Sequence, residues 1–524
     1  MKEIKVNIFL QARSDSNRLP LKSLVPINKI PLTVLCAKRL MGKNFNLTVL
    51  TSTNESDNYL AHMLKENNIN YFRGNLNNVY KRFLDCAKDL NEDDIIIRTT
   101  ADNPFVDYSF VKNALNVFLV NNETYRGIDY KKHNVPYGMS LEIFRKKLLL
   151  KYKNSLTKNS KEHVTSHFYK YANPEIVKKN KIKKDLSYLS CTLDTFDDYK
   201  KINSVFNKFK NPTKVPWRKL IHSLSNYKCR NIDYLPKTKF TLGGAQIGNN
   251  YMNFKRLSID KLFSRKLFLN NFTNIDTAFN YSKSHEEISK LNLKKNINIM
   301  TKLNYSIDDI QSKYYKENFY INFYKILISL NQSKVDTLLI HSYKDFKKNY
   351  SEIIKIFNKL QSLNLINNFG VSIYYPRELM FIMNNFTNFT VQIPINFVDH
   401  RWNQSEIIKK KKKSKSILIG RSIFLRGKLL QKEGYIINNK INSAYKEALF
   451  EIKKRYDIKS NLELCIGYVN SLSFLDYIVI GFENYNQIKK IIKYKNKKFM
   501  ASQIKIINKK FNFLDTKYID ILKL

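Results

Sequence analysis

The sequence predicts two α/β domains, a doubly wound and mostly parallel sheet followed by a (β/α)8 barrel of the TIM type. The chain has 524 residues, which is more than one ordinary domain of ~100–200 residues contains. Short apolar runs alternate with stretches of helical length, in two series that meet near residues 226–239. Hydrophobic residues make up 43% of the chain and aromatic residues 13%, which is enough to bury a core in each half.

The first series of apolar runs predicts the sheet. Its clearest strands are Ile4–Leu10, Leu47–Thr51, Ile95–Ile97 and Tyr188–Leu193. Strands that alternate with helical stretches in this way are typical of βαβ units, whose strands run parallel and are covered by helices on both faces.

The second series contains eight apolar runs, which predict eight strands. They are Phe240–Leu242, Phe272–Ile275, Ile297–Met300, Thr337–Ile340, Phe369–Ile373, Phe389–Ile393, Ile417–Ile419 and Tyr477–Ile480. Eight strand–helix repeats over this length fit a barrel, which usually takes ~250 residues. We therefore expect domains at residues 1–228 and 238–524.

The charge of the chain is strongly positive, with 91 Lys and Arg against 44 Asp and Glu and a net charge of +47. Such an excess would normally suggest nucleic acid or an anionic membrane surface. Here the lysines are spread along the whole length, and no segment combines a basic face with a nucleic-acid-reading motif. We therefore expect small anionic substrates and no specific nucleic-acid partner.

The five cysteines are far apart and lack the spacing of metal ligands, so they are expected to be reduced thiols. The N-terminal residues lead directly into a strand, and no run approaches ~18 apolar residues. These features predict a cytoplasmic enzyme without membrane insertion and leave the oligomeric state open.

Four polar residues follow consecutive strands of the predicted barrel. Asp276 and Tyr281 come after the second strand, Lys302 after the third and His341 after the fourth. Any one of them alone could be a helix cap, a packing residue or an exposed charge. Because the carboxyl ends of barrel strands meet at one mouth, where such barrels hold their chemistry, together they predict a catalytic site.

The motifs around these residues resemble the aldo/keto reductase family across almost all of residues 240–524. They are TLGGAQIG, IDTAFNYSKS, MTKL, VDTLLIHS, FGVSIYYP, VQIPINFVDHR, ILIGRSIFLRGKLL and YIVIGFENYNQI. The resemblance implies that Tyr281 protonates the carbonyl oxygen that receives a hydride, and that His341 orients the carbonyl. A phenol has a pKa of ~10, so we expect the Lys302 ammonium, held by Asp276, to favour the phenolate.

The same resemblance implies NADP(H) as the cofactor. The expected binding residues are Ser372, Gln392, Arg421, Ser422, Gly481, Asn484 and Gln487. Two positions depart from the family pattern: His285 stands where a glutamate is usual, and Ile373 stands where an asparagine commonly follows the serine.

A basic loop follows the first strand of the first domain and carries Arg13, Arg18 and Lys22. The carboxyl edge of a doubly wound sheet is where such folds bind ligands, and guanidinium and ammonium groups suit a nucleotide triphosphate. The alternative is a basic surface turn.

This loop, with its order Arg-x-x-Ser-x-Arg-Leu-Pro-x-Lys, resembles the sugar-nucleotide cytidylyltransferases, especially their spore-coat polysaccharide biosynthesis protein F-like branch. Further matches are Phe72-Arg73-Gly74 with Val79 and Arg82, Arg98-Thr-Thr-Ala-Asp102-Asn-Pro, Pro136-Tyr-Gly138, Glu162-His163-Val-Thr, and Leu193-Asp194-Thr with Asp198. The resemblance covers about residues 3–222 and implies a nucleotide-diphospho-sugar transferase-like fold.

The resemblance also implies CTP as a substrate and Mg2+ as a cofactor. The expected nucleotide-binding residues are Arg13, Ser16, Arg18, Lys22, Ser52 and Arg73, and the expected metal ligands are Asp102 and Asp194. Asp15, Leu21 and Ala101 stand where the family commonly has glycine.

The two resemblances together imply a bifunctional enzyme of surface-polysaccharide or sugar-acid biosynthesis. Its substrates would be a nucleotide triphosphate, a sugar acid and a keto-sugar. Two alternatives stay open: an aldo/keto reductase whose first domain is a non-catalytic nucleotide-sugar-binding module, and a basic nucleic-acid-binding protein.

Overall fold

The computed structural model describes residues 4–16, 18–173, 176, 182–227, 238–247, 271–281, 283–290, 297–304, 313–402, 404–436, 438–482 and 485–523. The chain forms two compact units. The first comprises Met1–Arg230 and Lys316–Lys325, and the second comprises Asn231–Tyr315 and Ile326–Leu524.

The first unit is built on a six-stranded mixed sheet and a two-stranded antiparallel pair. Its strands are β1 Val6–Gln11, β2 Pro26–Ile27, β3 Ile30–Pro31, β4 Asn46–Ser52, β5 Tyr71–Gly74, β6 Ile95–Thr100, β7 Tyr125–Gly127 and β8 Glu142–Arg145. The sheet order is β5-β4-β1-β6-β8-β7, while β2 pairs with β3. The four strands from β5 to β6 run parallel, and β8 is antiparallel to both of its neighbours.

Helices cover this sheet. In the first unit they are Leu32–Leu40, Asn58–Glu66, Val79–Cys86, Tyr108–Val120, Tyr130–His133, Lys146–Tyr152, Lys158–Glu162, Phe196–Phe206 and Trp217–Ser225. Part of the core consists of Phe9 and Leu50 from the strands together with Tyr80 and Phe83 from a helix, and all of these are buried. The strand–helix alternation in the sequence therefore corresponds to real packing of apolar helix faces on an apolar sheet.

Three of the four predicted strands of the first unit are confirmed as β1, β4 and β6. The prediction for Tyr188–Leu193 is wrong, because this segment is an irregular loop with a single bridge between Ser190 and Tyr137. Its Leu193 amide donates to the Asp102 carbonyl. Cys191 and Leu193 are fully buried outside the sheet, whereas Tyr188 is 69% exposed.

The second unit is a closed barrel of eight parallel strands. They are β9 Phe240–Gly243, β10 Asn274–Asp276, β11 Asn298–Leu303, β12 Val335–Ile340, β13 Ile366–Ser372, β14 Thr390–Pro394, β15 Ile417–Arg421 and β16 Tyr477–Ile480. Each strand pairs with the next, and β16 closes the ring on β9. All eight predicted strands are confirmed.

The described helices of the barrel follow the strands. They are Ser284–Ser289, Tyr343–Lys348, Tyr350–Ser362, Pro376–Asn385, Gln404–Ser414, Asn439–Arg455, Asn461–Ser471, Tyr485–Lys493, Ala501–Lys510 and Thr516–Ile519. The helix Tyr315–Ser329 follows β11, and its residues Lys316–Lys325 are those assigned to the first unit. None of the described helices is long and apolar enough to cross a membrane.

Candidate active sites

The barrel contains a cavity of about 940 Å³ at the carboxyl ends of its strands. It is lined by the four predicted catalytic residues and six predicted cofactor residues: Asp276, Tyr281, Lys302, His341, Ser372, Gln392, Arg421, Ser422, Gly481 and Gln487. Asn484, the remaining predicted cofactor residue, lies outside the described residues. Asp276, Ser372 and Arg421 are the last residues of β10, β13 and β15, so strand closure alone brings distant segments to one mouth.

A buried ion pair joins two neighbouring strands at this mouth. Lys302 Nζ lies 2.7 Å from Oδ1 and 2.7 Å from Oδ2 of Asp276, and it also donates to the Thr277 carbonyl at 3.2 Å. The Lys302 side chain is 2% exposed and that of Asp276 is 6% exposed. A buried ammonium held by both carboxylate oxygens is a fixed positive charge with a defined position.

Tyr281 and His341 stand beside this charge. Lys302 Nζ lies 5.6 Å from the centre of the Tyr281 ring, and the Tyr281 and His341 rings meet edge to face with their centres 6.1 Å apart. Burial, with Lys302 and Arg421 adding to it, lowers the pKa of His341 to about 4. His341 is therefore a neutral imidazole at pH 7, and it can donate or accept a hydrogen bond without adding charge.

Gln392, in strand β14, forms a hydrogen bond to the ion pair. Its Nε2 donates to Asp276 Oδ1 at 2.9 Å, while its buried Oε1 accepts no hydrogen bond from the described residues. Arg421 also lines the cavity, and it donates from Nη2 to the Ile373 carbonyl at 3.0 Å and from Nε to Ser372 Oγ at 3.3 Å. The side-chain orientations are thus held in place by the protein itself.

The two departures from the family pattern have structural roles away from this cavity lining. His285 is 4% exposed, and its two ring nitrogens lie 3.0 Å from Ser329 Oγ and 3.1 Å from Thr301 Oγ1. Ile373 is fully buried and its amide donates to the Gln392 carbonyl at 2.9 Å. Neither side chain is among the residues that line the cavity.

Several basic cavity residues were not predicted from the sequence. They are Arg426, Lys432, Lys453, Lys459, Lys490 and Lys493. Lys490 and Lys493 are three residues apart in the helix after the eighth strand, so they share one helix face. This spacing is the sequence feature from which a basic cavity wall could have been predicted. The others come from the long segment between β15 and β16, whose return to the cavity has no local sequence marker.

The first unit has a separate cavity of about 770 Å³ at the carboxyl edge of its sheet. Six of the predicted residues line it: Arg13, Ser16, Arg18, Lys22, Asp102 and Asp194. The basic loop after β1 therefore borders a cavity, in contrast to the alternative of a plain surface turn.

Asp102 and Asp194 meet on a single cationic group. Lys22 Nζ donates to Asp102 Oδ2 at 2.9 Å and to Asp194 Oδ1 at 3.1 Å, and Arg18 donates from Nη2 to Asp194 Oδ1 at 2.9 Å. Burial lowers the pKa of Lys22, but the two carboxylates outweigh burial and raise this pKa above its ordinary value. The two aspartates, 92 positions apart in the chain by their numbers, thus face one cation position.

Ser52 and Arg73 are not among the residues that line this cavity, and their binding of the nucleotide stays a prediction. Ser52 is fully buried and its hydroxyl and amide both donate to Asp57. Arg73 donates to the carbonyls of Ser52 at 2.8 Å and of Asn54 at 2.9 Å. In this structure both side chains brace the loop after β4.

The three positions where the family commonly has glycine are accommodated in different ways. Leu21 has φ of 55°, a left-handed conformation that costs a non-glycine residue ~1–2 kcal/mol. Asp15 is exposed, and Ala101 is buried with its amide donating to the Gln11 carbonyl at 2.9 Å. The backbone at Leu21 therefore retains the conformation that a glycine would favour.

Other cavity residues belong to motifs noted in the sequence without a predicted role. They are Arg82, Arg98, Gly138, Glu162 and His163, with Tyr130 and Tyr137 beside them. Arg98 is paired with Glu142, whereas Arg82 has no carboxylate partner within ion-pair distance among the described residues.

A closed parallel barrel with Asp, Tyr, Lys and His at its mouth defines an oxidoreductase class of site. Residues 239–512, more than half of the chain, match the family model described as the aldo/keto reductase family, and the chain belongs to that family. Residues 8–225 match the model described as cytidylyltransferase. The protein is an aldo/keto reductase fused to a cytidylyltransferase domain.

Two curated relatives are similar to the first unit. An uncharacterized protein of Methanocaldococcus jannaschii is 29% identical over 209 residues, which cover 38% of this chain and 81% of the relative. The spore coat polysaccharide biosynthesis protein SpsF of Bacillus subtilis is 28% identical over 230 residues, which cover 41% of this chain and 92% of the relative.

Solved structures are similar to each unit. A cytidylyltransferase from Leptospira borgpetersenii is 26% identical, with 44% of this chain and 100% of that chain covered and a TM-score of 0.39. A glycerol dehydrogenase from Gluconobacter oxydans is 18% identical, with 54% of this chain and 93% of that chain covered and a TM-score of 0.43.

Proposed function

We propose that the chain is a bifunctional enzyme of surface-polysaccharide or sugar-acid biosynthesis. The barrel, which we assign to residues 238–524, reduces a sugar carbonyl with NADPH or oxidises the corresponding hydroxyl. The domain at residues 1–228 transfers a cytidylyl group from CTP to an acidic sugar. The observation that carries the proposal is that four chemically matched side chains, in or just after three consecutive strands, border one cavity of the barrel.

Tyr281 is the proposed general acid of the barrel. When a carbonyl carbon gains a hydride, its oxygen becomes an alkoxide and needs a proton, which a phenol can donate. The buried ammonium 5.6 Å from the Tyr281 ring stabilises the phenolate that remains. Asp276 keeps that ammonium in place through its two hydrogen bonds of 2.7 Å.

His341 is the proposed orienting group for the carbonyl. Its ring lies edge to face with Tyr281, so a carbonyl oxygen beside the tyrosine hydroxyl would also be within reach of the imidazole. Since its pKa is lowered to about 4 by burial and the nearby cations, His341 polarises the carbonyl as a neutral hydrogen-bond donor. Tyr281 remains the source of the proton.

The residues of the cavity fit reduced nicotinamide adenine dinucleotide phosphate, which supplies the hydride when bound. The buried Gln392 Oε1 accepts no hydrogen bond from the described residues, and the amide N–H groups of a nicotinamide are suitable donors to it. The basic side chains of Arg426, Lys432, Lys490 and Lys493 line the same cavity and match the charge of its phosphates.

The residues of the first cavity fit Mg2+ as the cofactor of cytidylyl transfer. Two carboxylates that face one cation position, Asp102 and Asp194, are a suitable set because Mg2+ is commonly held by one or two carboxylates together with substrate phosphates. The ion supplies charge neutralisation at the phosphate that reacts. Arg13, Arg18 and Lys22 line the cavity and would bind the remaining phosphate charge.

The acidic sugar and the polysaccharide setting come from similarity. The relative from Bacillus subtilis is named as a spore coat polysaccharide biosynthesis protein, and the sequence motifs of the first unit resemble enzymes that activate sugars with CTP. A fusion of the two domains motivates linking their substrates, so we propose that both act on sugars of one biosynthetic route.

The reductase proposal is tested by NADPH oxidation with the full chain over a panel of keto-sugars. Tyr281→Phe removes the proton donor and is expected to lower kcat by at least ~100-fold, while NADPH binding measured by fluorescence stays unchanged. Tyr374→Phe is the matched control, because Tyr374 also lines the cavity and keeps its ring over Arg421. Equal rates for Tyr281→Phe and the parent would refute the assignment.

The transferase proposal is tested by pyrophosphate release from CTP, Mg2+ and a panel of sugar acids. Asp194→Asn is expected to abolish release, and Asp197→Asn, an exposed neighbour, is expected to leave it unchanged. Binding of CTP without release for every sugar acid would instead support the alternative, in which the first unit is a non-catalytic nucleotide-sugar-binding module.

A further inference from the structure

Arg82 is a buried guanidinium in the first cavity with one nitrogen left open. It belongs to the helix Val79–Cys86, lines the cavity and is 1% exposed. Its Nε donates to the Asn75 carbonyl at 3.1 Å, and its Nη2 donates to the carbonyls of Asn75 at 2.6 Å and Leu76 at 3.2 Å. Nη1 makes no hydrogen bond to the described residues, and because Arg82 lines the cavity, we take Nη1 as the donor available to a ligand there.

This open donor is held rigidly. Three hydrogen bonds from Nε and Nη2 to backbone carbonyls fix the plane of the guanidinium. A planar donor that is already oriented loses little conformational freedom when a ligand binds. The arrangement therefore suits recognition of one acceptor pattern rather than a flexible charge contact.

Arg82 belongs to a different part of the cavity from the proposed reaction centre. Asp102 and Asp194 interact with Lys22 and Arg18, and neither aspartate is among the charges that act on Arg82. Burial lowers the pKa of Arg82, Asp57 opposes this effect and Arg13 adds to it. Among the described residues, Asp102 and Asp194 pair with Lys22 and Arg18 and form no ion pair with Arg82.

The surroundings of Arg82 favour a ring over a phosphate. Leu76 and Val79 line the same cavity, and Val79 precedes Arg82 by three residues on the same helix, so the two share a face. Apolar side chains suit the face of a nucleobase, and they offer no donor to a phosphate. Both the buried Asp57 carboxylate and the Arg13 guanidinium act on Arg82, and the effect of Asp57 is the larger, so the net nearby charge disfavours a phosphate at this place.

We propose that Arg82 reads the pyrimidine of the bound nucleotide and selects cytosine over uracil. This inference rests on the proposed cytidylyl transfer. In cytosine both O2 and N3 are hydrogen-bond acceptors, which match the two N–H groups of Nη1. In uracil N3 carries a hydrogen, so one donor would face another donor and be left unpaired. A site that leaves a polar group unpaired with the wrong substrate discriminates strongly against it.

The test measures nucleotide binding to the full chain by calorimetry with Mg2+ and without any acceptor sugar. The parent is expected to bind CTP at least ~10-fold more tightly than UTP, since an unpaired buried donor costs ~1–3 kcal/mol. Arg82→Lys keeps the positive charge but loses the planar fork. The variant is expected to bind CTP more weakly. Its CTP and UTP dissociation constants are expected to lie within about threefold of each other, because the unpaired donor that penalises UTP is gone.

A phosphate-binding role for Arg82 predicts a different result. Arg82→Lys would then weaken CTP and UTP by the same factor and leave their ratio unchanged, which would overturn the inference. Unchanged binding of both nucleotides would overturn it as well. If the variant does not fold, the parent itself decides with 3-deaza-CTP, which lacks the N3 acceptor and is expected to bind at least ~10-fold more weakly than CTP; equal affinity contradicts the inference.

The failure of this inference differs from the failure of the proposed function. If the parent binds no CTP, the proposed cytidylyl transfer fails and the inference fails with it. If the parent binds CTP and releases pyrophosphate with a sugar acid, but Arg82→Lys keeps the ratio of the CTP and UTP dissociation constants, only the inference about Arg82 is refuted and the proposed cytidylyl transfer stands.

Discussion

Replacing Asp276 by Asn leaves the buried ammonium of Lys302 without the carboxylate that balances it. The two groups lie 2.7 Å apart and are almost fully buried. Their Coulomb attraction at this distance amounts to about 6 kcal/mol with an effective dielectric constant of ~20. Asn keeps one oxygen acceptor, so the expected loss of barrel stability is ~3–5 kcal/mol, as for other buried pairs that lose one partner.

Tryptophan fluorescence can measure this loss for the barrel alone. The chain has two tryptophans; Trp217 lies in the first unit and Trp402 in the second, and each is 4% exposed. In a Trp217→Phe background, Trp402 reports urea unfolding of the barrel. The free energy of unfolding of Asp276→Asn is expected to be ~3–5 kcal/mol below that of the parent at pH 7.

Two controls make the result decisive. Asp457→Asn removes a carboxylate from an exposed pair with Lys459, whose side chains are 83% and 68% exposed, and is expected to change stability by less than ~1 kcal/mol. The double variant Asp276→Asn with Lys302→Met removes the unbalanced charge and is expected to regain at least ~2 kcal/mol over Asp276→Asn. If Asp276→Asn costs no more than Asp457→Asn, the buried ion pair does not stabilise the barrel as argued.

Two further predictions concern the barrel. Burial and Lys302 lower the pKa of His285 to about 4, whereas an unfolded histidine titrates near ~6.5; between these values only the unfolded chain binds the proton, so stability falls as pH falls, by ~1.4 kcal/mol per pH unit for this histidine. For His285→Gln, the free energy of urea unfolding is expected to change less steeply with pH between pH 6.5 and pH 5, by about that amount per pH unit. The same steepness in the parent and the variant would contradict a lowered pKa of His285. A Cβ on Gly370 would lie 1.7 Å from a backbone oxygen of the next strand, while one on Gly481 would lie 3.6 Å from its nearest neighbour. Gly370→Ala is therefore expected to prevent folding or to destabilise the barrel by more than ~4 kcal/mol, and Gly481→Ala to melt like the parent; similar melting temperatures would refute the steric argument.

The barrel strands could be predicted because parallel strands buried on both faces form continuous apolar runs. Each of the eight runs became a strand. The order of the strands in the first sheet was not readable in this way, because pairing partners such as β1 and β6 are far apart in the chain. Apolar character wrongly predicted a strand at Tyr188–Leu193, where Cys191 and Leu193 are buried in a loop outside the sheet.

Side-chain direction was the other feature that the sequence did not reveal. Ser52 is the last residue of β4 and Arg73 the last but one of β5, close to the strand ends where ligand-binding residues are expected. Ser52 nevertheless turns to Asp57, and Arg73 turns to backbone carbonyls. Arg82 was visible in the sequence only as part of a motif, and its open nitrogen depends on which carbonyls surround it.

The sequence by itself determined the two α/β domains, the eight barrel strands and the residue types at the strand ends, because these follow from local apolar patterns and short motifs. Only the tertiary structure decided which polar groups meet: Lys302 with both oxygens of Asp276, and Lys22 between Asp102 and Asp194. The physical reason is that these contacts join residues from separate strands and loops, and their geometry depends on how the sheets close and how the loops pack.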